Sequence, residues 1–498
     1  MLYTLSMPHT KDITSLVHGL HNEDAKLIEK AYFFAERAHK DQKRNSGEPY
    51  LIHVFETAKI LAELGMDTKT IVAGLLHDVL EDTDTPEEVL EKEFGTEIVT
   101  LVHGVTKLGT MKYTGAERHV ESLRKFFLAL ANDLRVLIIK LADRLHNVRT
   151  LQYVKPDKQK RIALETIEIH ARLADRIGMN KLKGELEDAA FPFIYPKEYA
   201  EIEKLLTLNT INNQKELDEV CDQLRAEFKK ENVTIIEMSD RAKHKYSLWK
   251  KVKRYDMDIE KVFDIVALRV IVEDIENCYR VLGIIHGLFQ PVPGRIKDYI
   301  ATPKRNGYRS LHTTIFTGNC GTVEIQIRTP KMHAEAAYGI AAHFIYKEKG
   351  KNAQKPEGET TDKSLEWIDQ LKELHKIVDK PAKFLENIKM DFFQDRIFIF
   401  TPQGDVVDLP IDSSPIDFAY AIHSDIGNHA QSANINRKMA PLSTKLKNND
   451  IVEIITNKKA NPSSKWLDYA KTTMAKKHIN AYLKDNTLLS KFRSFAKF

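Results

Sequence analysis

The chain has 498 residues, 42% hydrophobic and 29% charged, with a formal net charge of +4, which allows about three globular domains. That charge is small for the length and excludes a globally basic nucleic-acid binder, while leaving room for local phosphate sites. No apolar run approaches the ~20 residues of a membrane span, the N-terminus lacks a secretory pattern, and the widely spaced Cys221, Cys278 and Cys320 form no disulfide framework or zinc knuckle, so no membrane association and a cytoplasmic location are expected.

Residues 22–186 keep a helical period with short polar breaks. One break, RNSGEPY from Arg44 to Tyr50, contains Gly47 and Pro49, so His53 is expected at the head of the next helix. Residues 71–83, IVAGLLHDVLEDT, read as one helix carrying His77, Asp78, Glu81 and Asp82. At about 100° per residue those four fall within an arc of roughly 140°. The other positions are nearly all apolar. A buried helix with an imidazole and three carboxylates needs a partner for that charge, and a metal is the economical one. A surface helix with a solvated acidic face is the alternative that this stretch alone leaves open.

A loop is expected over residues 105–115 and a long helix over 116–130. Residues 133–150 read as a further helix, in which Lys140, Asp143, Asn147 and Thr150 share a stripe about 80° wide. Two helices of one domain thus each offer a carboxylate inward, and His53 and His77 supply nitrogens. Such a set, without thiolate, suits a hydrolytic Mn²⁺, Fe²⁺ or Zn²⁺ rather than a structural zinc.

Three segments in order, HKDQKRNSGEPYLIH, LLHDVLEDT and KLADRLHNVRT, resemble the hydrolase domain of the RelA/SpoT homologue family, an HD-type metal phosphohydrolase. That family makes and degrades the alarmone (p)ppGpp. The resemblance implies His53, His77, Asp78 and Asp143 as Mn²⁺ ligands. Glu81 and Asp82 would orient or activate the attacking water. Arg44, Ser46, Asn147 and Thr150 would hold the guanosine nucleotide. Val54 stands where the family more often has proline.

Residues 185–238 read as connecting helices with a break at 191–196. Strands follow over residues 262–272, which contain Asp264 and Arg269, and over 322–328, where Val323, Ile325 and Ile327 alternate with Glu324, Gln326 and Arg328. Between them lies a basic segment punctuated by Gly and Pro, residues 293–314. Carboxylates on two strands beside a basic loop suit Mg²⁺-assisted transfer from a nucleoside triphosphate; a solvated strand face is the plain alternative. No Walker loop is present.

The same segment is similar to the family's synthetase domain, which transfers pyrophosphate from ATP to the 3′-hydroxyl of GDP or GTP. The resemblance assigns Asp264 and Glu324 to Mg²⁺, with Glu324 also activating the 3′-hydroxyl. Arg241 and Arg269 would sandwich adenine, and Lys243, Ser247 and Lys251 would reach the ATP phosphates. Tyr308 would stack on guanine, with Lys304, Asn306 and His312 nearby. Arg295 and Lys297 belong to an RxKD form that goes with bifunctional members. Arg309 replaces a usual glutamine, Ala337 a usual glutamate and Phe344 a usual tryptophan; His333 is retained.

Residues 347–363 read as an exposed linker and 364–378 as a short amphipathic helix. A hairpin over 395–410, a helix over 417–427 and a last strand over 450–456 resemble the TGS domain, a β-grasp module that contacts tRNA in this family. His423 occupies the position that would touch the tRNA 3′ end. Residues 478–498 are a further helix candidate. Full-length members continue into regulatory regions, so a shortened or truncated member is expected.

The resulting expectation is a multidomain chain: an all-α HD-type hydrolase domain (1–185), a helical connector (186–238), an α+β nucleotidyltransferase-like synthetase domain with a mixed sheet (239–346), a linker and helix (347–394), a small β-grasp TGS domain (395–458) and a tail (459–498). Its expected function is Mn²⁺-dependent removal of the 3′-pyrophosphate of (p)ppGpp together with Mg²⁺-dependent synthesis from ATP and GDP or GTP, with tRNA or ribosome contact through the TGS domain. A hydrolase with a weak synthetase domain, or a non-catalytic nucleotide-sensing module, are the alternatives.

Overall fold

The computed structural model describes residues 9–17, 20–109, 133–240, 244–254, 266–304, 306–318, 321–342, 396–448 and 450–495. The expected strand residues 262–265, the helices at 116–130 and 364–378 and the linker at 347–363 lie outside them. The described residues form two compact units, one holding the N-terminal helices and a five-stranded sheet, the other the residues from 396 onward.

The first unit begins with α1 (Lys11–Thr14), α2 (Asn22–Ala38), α3 (Leu51–Glu63) and α4 (Thr68–Leu76). On α2, Ile28, Ala31, Tyr32 and Ala35 are buried, the i, i+3, i+4, i+7 stripe of a helix with one core face. By contrast, α4 is apolar nearly all round and starts at Asp67, whose carboxylate accepts the Thr70 N–H at 2.9 Å, an N-cap. It packs among α2, α3 and α7 (Thr96–Gly109).

The single helix expected over 71–83 is two. Helix α4 stops at Leu76, and α5 (Val79–Asp82) starts after His77 and Asp78. His77 Nδ1 lies 2.8 Å from the Gly74 carbonyl, the acceptor that the Asp78 N–H would use in an unbroken helix. Asp78 takes φ −98°, ψ −4°, outside the helical well. Residues 105–109, expected in a loop, continue α7.

After α6 (Glu87–Phe94) and α7, helix α8 (Leu134–Arg149) is capped by Asp133, which accepts the Arg135 N–H at 2.9 Å. It is followed by α9 (Pro156–Glu165), a π-helical turn (Thr166–His170), α10 (Ala171–Arg176), α11 (Asn180–Ile194) and α12 (Pro196–Lys230). The break expected at 191–196 narrows to Tyr195, because α11 runs through Pro192.

The connector expected to stay helical to 238 instead ends at Lys230, and β1 (Ile235–Asp240) enters a sheet. The turn is made by Asn232 at φ +53°, a residue type that tolerates the left-handed region. With β2 (Val266–Val272), β3 (Lys297–Asp298), β4 (Leu311–Gly318) and β5 (Gly321–Arg328), the sheet order is β1-β2-β5-β4-β3. It is mixed: β2 and β5 are parallel and the other pairs antiparallel. Val323, Ile325 and Ile327 join Leu268, Val270, Leu311 and Ile315 in a core against α14 (Ile275–Leu288) and the C-terminal half of α12. The opposite face carries Glu324, Gln326 and Arg328, and the last two are buried as well.

α13 (Lys245–Arg254) packs on α11 and α12, while α15 (Pro330–Tyr338) packs on α11 and β2. The turn after α10 meets the end of α15 through two glycines. A Cβ on Gly339 (φ +55°) would lie 2.2 Å from the Ile177 carbonyl, and one on Gly178 (φ +76°) 2.8 Å from the Asn306 carbonyl.

In the second unit, β6 (Arg396–Phe400) and β7 (Val406–Pro410) form the expected hairpin. β10 (Val452–Thr456), β8 (Ala430–Ile435) and β9 (Lys438–Ala440) form a sheet, and a parallel bridge between Phe400 and Ile451 joins hairpin and sheet. The helix expected over 417–427 is two, α16 (Pro415–Ile422) and α17 (Ser424–Asn428), divided at His423 in extended conformation. After α18 (Trp466–Tyr469), buried Asp417 accepts the backbone N–H groups of Lys471 and Thr472 at the start of α19 (Thr473–Phe495).

Gly339→Ala should cost at least about 2 kcal/mol, because the added methyl meets backbone at a left-handed φ. Chemical denaturation should show a lower midpoint; an unchanged midpoint would contradict the close approach of Gly178 and Gly339.

Candidate functional site

The break after α4, the head of α3 and the middle of α8 converge. His53 Nε2 lies 3.4 Å from Asp78 Oδ2 and 3.3 Å from Asp143 Oδ1. His77 Nε2 lies 3.2 Å and 3.9 Å from the same two oxygens. One atom each of the buried His53, His77 and Asp143 falls within 4.8 Å of the others, a group able to hold a metal ion.

The hydrogen-bond network decides which imidazole nitrogens carry lone pairs. Gly74 can only accept, so His77 Nδ1 donates to it. His77 Nε2 is buried and makes no hydrogen bond. On the other side, Arg44 Nη1 is 3.0 Å from His146 Nδ1, and His53 Nδ1 is 2.8 Å from that same atom. Arginine can only donate, so His146 Nδ1 accepts from both. Burial, His53 and Arg44 push the His146 pKa down to about 3, keeping that lone pair free. His53 Nε2 is therefore left as an acceptor facing the carboxylates. Two neutral imidazoles with their second nitrogens hydrogen-bonded are what a divalent ion requires, and the residues present fit one.

The electrostatics favours positive charge at this point, which is supplied either by a proton on His77 or by a divalent ion that takes its place. Burial opposes charge on His77, but Asp78 and Asp143 outweigh it and raise its pKa to about 9. Burial likewise opposes ionisation of Asp78 and Asp143, yet His77 and His53 hold Asp78, and Lys140, His53 and His77 hold Asp143, well below the usual carboxylate range. The cluster thus attracts positive charge, as a proton or a cation. Lys140 Nζ is 2.7 Å from Asp143 Oδ2, and Asn147 Nδ2 donates to Asp143 Oδ1 at 2.5 Å. Glu81 is half-buried, and burial with Asp78 raises its pKa to about 7 despite Lys140.

Of the expected nucleotide holders, Arg44 and Asn147 meet, with Arg44 Nη2 donating to Asn147 Oδ1 at 2.5 Å. Ser46 turns to Glu48 at 3.0 Å, and the Thr150 hydroxyl bonds back to the carbonyls of its own helix. Two residues near the cluster were not singled out from the sequence. His146 sits in the DRLHN segment outside the polar stripe. The Tyr50 hydroxyl lies 2.8 Å from both Asp78 Oδ2 and Asp82 Oδ2; its place directly after the Gly47/Pro49 loop, three residues before His53, was the available signal.

The second candidate site lies on the polar sheet face. Glu324 Oε1 is 3.0 Å from His312 Nδ1, and His312 Nε2 is 2.7 Å from the Tyr308 hydroxyl. Lys304 Nζ stands 5.0 Å over the Tyr308 ring and 4.5 Å over that of Tyr299. Asn306 Oδ1 accepts the Tyr308 N–H at 3.3 Å, and Lys297 pairs with His312 across β3 and β4. Arg269 stands opposite Gln326 between β2 and β5. Arg295 precedes β3 on the loop. Asp264, Arg241 and Lys243 lie outside the described residues. Ser247 on α13 is 3.5 Å from Glu187 of α11, and Lys251 is exposed one turn further on. The unusual Arg309 pairs with Glu335 at 2.9 Å, so that departure carries its own partner.

Residues 31–180 match the HD domain, 240–351 the region found in RelA/SpoT proteins and 397–456 the TGS domain. The chain is 44% identical to a GTP pyrophosphokinase of Myxococcus xanthus over 93% of its own length and 61% of the relative's. It is 46% identical to a guanosine-3′,5′-bis(diphosphate) 3′-pyrophosphohydrolase of Aquifex aeolicus, over 93% and 65%. To the bifunctional (p)ppGpp synthase/hydrolase SpoT of Escherichia coli K12 it is 40% identical, over 94% and 66%. The chain belongs to the RelA/SpoT family. It spans 61–66% of the lengths of these three relatives.

The expected fold class holds for this RelA/SpoT member: a helical HD domain, a mixed-sheet domain and a small TGS domain. Among the described residues no helix is long and apolar enough to cross a membrane. His423 in the TGS domain already has a local task, since its Nδ1 accepts the Asp425 N–H at 3.2 Å and caps α17.

Replacing His146 by alanine removes the acceptor that orients His53. Losing such a partner should weaken divalent-ion binding by roughly 10- to 100-fold. Calorimetric titration of the chain with Mn²⁺ measures this, and wild-type affinity in the variant would refute the orienting role.

Proposed function

We propose that the chain is a bifunctional alarmone enzyme that removes the 3′-pyrophosphate of (p)ppGpp at the His53/His77/Asp78/Asp143 cluster and transfers pyrophosphate from ATP to GDP or GTP at the Glu324 face. The observation that carries the reading is the cluster itself, with Nε2 of two imidazoles and oxygens of two carboxylates turned to one point. The names of the relatives, covering both activities, agree with it.

At the first site Mn²⁺ would be held by His53, His77, Asp78 and Asp143 and would supply Lewis acidity for attack by water at neutral pH. The chain's own groups do the rest. Glu81, with its pKa near 7, can take a proton from the attacking water and return it to the departing 3′-oxygen. Asp82, linked to Asp78 through Tyr50, orients that water. Arg44 carries positive charge at the rim, and Asn147 fixes its fork; with Ser46 and Thr150 they form the nucleotide-holding set.

At the second site Mg²⁺ would be shared by Asp264 and Glu324 and would neutralise phosphate charge. Glu324, oriented by His312, accepts the proton of the 3′-hydroxyl, whose oxygen attacks the β-phosphorus of ATP while AMP leaves. Tyr308 and Lys304 form a face and a charge for guanine and its phosphates, together with Asn306, Arg295 and Lys297. Arg241 and Arg269 hold adenine; Lys243, Ser247 and Lys251 hold the ATP phosphates.

We place the hydrolase module at 1–185 and the TGS module at 395–458, and begin the synthetase module at Ile235, where β1 enters the sheet, running to 346. The remaining stretches, up to Thr234, 347–394 and 459–498, are connectors and tail. TGS contact with tRNA and a cytoplasmic location complete the reading.

Purified chain should release pyrophosphate from ppGpp with Mn²⁺, and Asp78→Ala should abolish that release; persistence in the variant would discredit the ligand set. With ATP, GDP and Mg²⁺ it should form ppGpp. Glu324→Gln should lower that rate by at least about 10²-fold and leave hydrolysis intact. Absence of product from the unaltered chain would remove the synthetase half of the reading.

A further inference from the structure

Helix α13 carries Ser247 and Lys251 and directly follows the segment that contains Arg241 and Lys243. It docks on α11, a helix that starts where the HD match ends. Asp188 of α11 receives two hydrogen bonds from the start of α13: its Oδ2 lies 2.8 Å from His244 Nδ1, and its Oδ1 accepts the Tyr246 N–H at 2.9 Å. A carboxylate there also complements the unsatisfied N–H groups of a helix start, as a capping residue would, although it comes from a different helix.

Glu187, only 4% exposed, adds a second tie, with Lys250 Nζ at 3.1 Å and Ser247 Oγ at 3.5 Å. One turn earlier stands Gly184. A Cβ on it would lie 2.2 Å from His244 Nε2, so the His244 ring rests on the helix backbone itself. Glycine is a poor residue for a helix interior, and the ring accounts for its presence here. Beyond this clamp, Phe191 and Tyr195 meet Tyr246 and Trp249, with ring centroids 5.3 and 4.5 Å apart in the pairs Phe191–Tyr246 and Tyr195–Trp249.

We propose that Gly184, Glu187 and Asp188 are positioning residues for the donor nucleotide of the synthetase: they set the register of α13, and thereby the reach of Ser247 and Lys251 to the phosphates of ATP. The inference rests on the synthetase reading given above. None of the three residues touches substrate; they act through His244, Tyr246, Ser247 and Lys250.

The test uses the whole chain, a methylene-bridged ATP analogue with Mg²⁺ as calorimetric probe, and initial rates of synthesis. Asp188→Asn removes the charged acceptor and should weaken analogue binding roughly tenfold, with a matching rise in KM for ATP. The KM for GDP, kcat and Mn²⁺-dependent hydrolysis should stay within about twofold of the unaltered chain, and the unfolding midpoint should not change, since α13 holds only the donor. Gly184→Ala should do the same by lifting His244 off α11, and the pair Asp188→Asn with His244→Ala should be no worse than Asp188→Asn alone.

Unchanged analogue affinity in folded Asp188→Asn and Gly184→Ala overturns the clamp while leaving the synthetase reading intact. Equal loss of both activities with a lowered unfolding midpoint also overturns it, in favour of plain packing. An unaltered chain that binds no analogue refutes the synthetase reading instead.

Discussion

Two ionised carboxylates sit inside a helical core, and the helical half of the molecule is arranged around keeping them charged. Removing a carboxylate from water costs several kcal/mol unless partners replace the solvent. For Asp143 those partners are Lys140, Asn147 and His53; for Asp78 they are His53, His77 and Tyr50. The demand reaches the backbone. A continuous helix through residues 71–83 would send His77 and Asp78 in directions about 100° apart; the break after Leu76 lets both side chains face His53. Outward, the same demand recruits His146 and Arg44, because a histidine that must offer Nε2 inward needs an acceptor for Nδ1–H.

The helical half and the sheet half of the first unit meet through α11. At one end, Asn180 Nδ2 donates to the Ala336 carbonyl of α15 at 2.8 Å, and the neighbouring Gly178 lies against Gly339 and Asn306. Toward its middle, Glu187 and Asp188 hold α13, while Glu185 accepts from Arg149 of α8 at 2.7 Å. Glycines occupy both contacts where a side chain would hold the backbones apart. The joint is therefore made of close approaches to backbone and of carboxylates that are buried, as Glu187 is, or half-buried, as Asp188 and Glu185 are.

How far the sequence could be read depended on whether a feature had a local cause. The polar stripe of α8 was legible because Lys140, Asp143 and Asn147 interrupt an apolar helix at helical spacing. The alternation in β5 was legible for the same reason, although Gln326 and Arg328 turned out buried. The break at His77 was not, since residues 71–83 contain no proline and the one glycine, Gly74, lies before it; its cause is a side-chain bond to a carbonyl. His146 was missed because a lone histidine on an apolar helix is ordinarily a packed core residue. β1 was missed because six residues follow a helix of thirty-five, and only pairing with β2 makes them a strand. The division at His423 likewise depends on its ring capping the next helix.

A helix is a stiff connector, and this gives α11 a consequence that a loop in its place would lack. Its fifteen residues span roughly 22 Å at 1.5 Å per residue, with α15 and Asn306 gathered at its start and α13 beyond its middle. The residues assigned to the acceptor nucleotide and those assigned to the donor are thus braced by one rigid body, which itself packs on the helix bearing Asp143. A displacement of α8 that carried α11 along would move both sets together and preserve the distance between them. Transfer reactions lose rate steeply with misplacement of about 1 Å, so a stiff brace shared by the two sets serves to keep them in register.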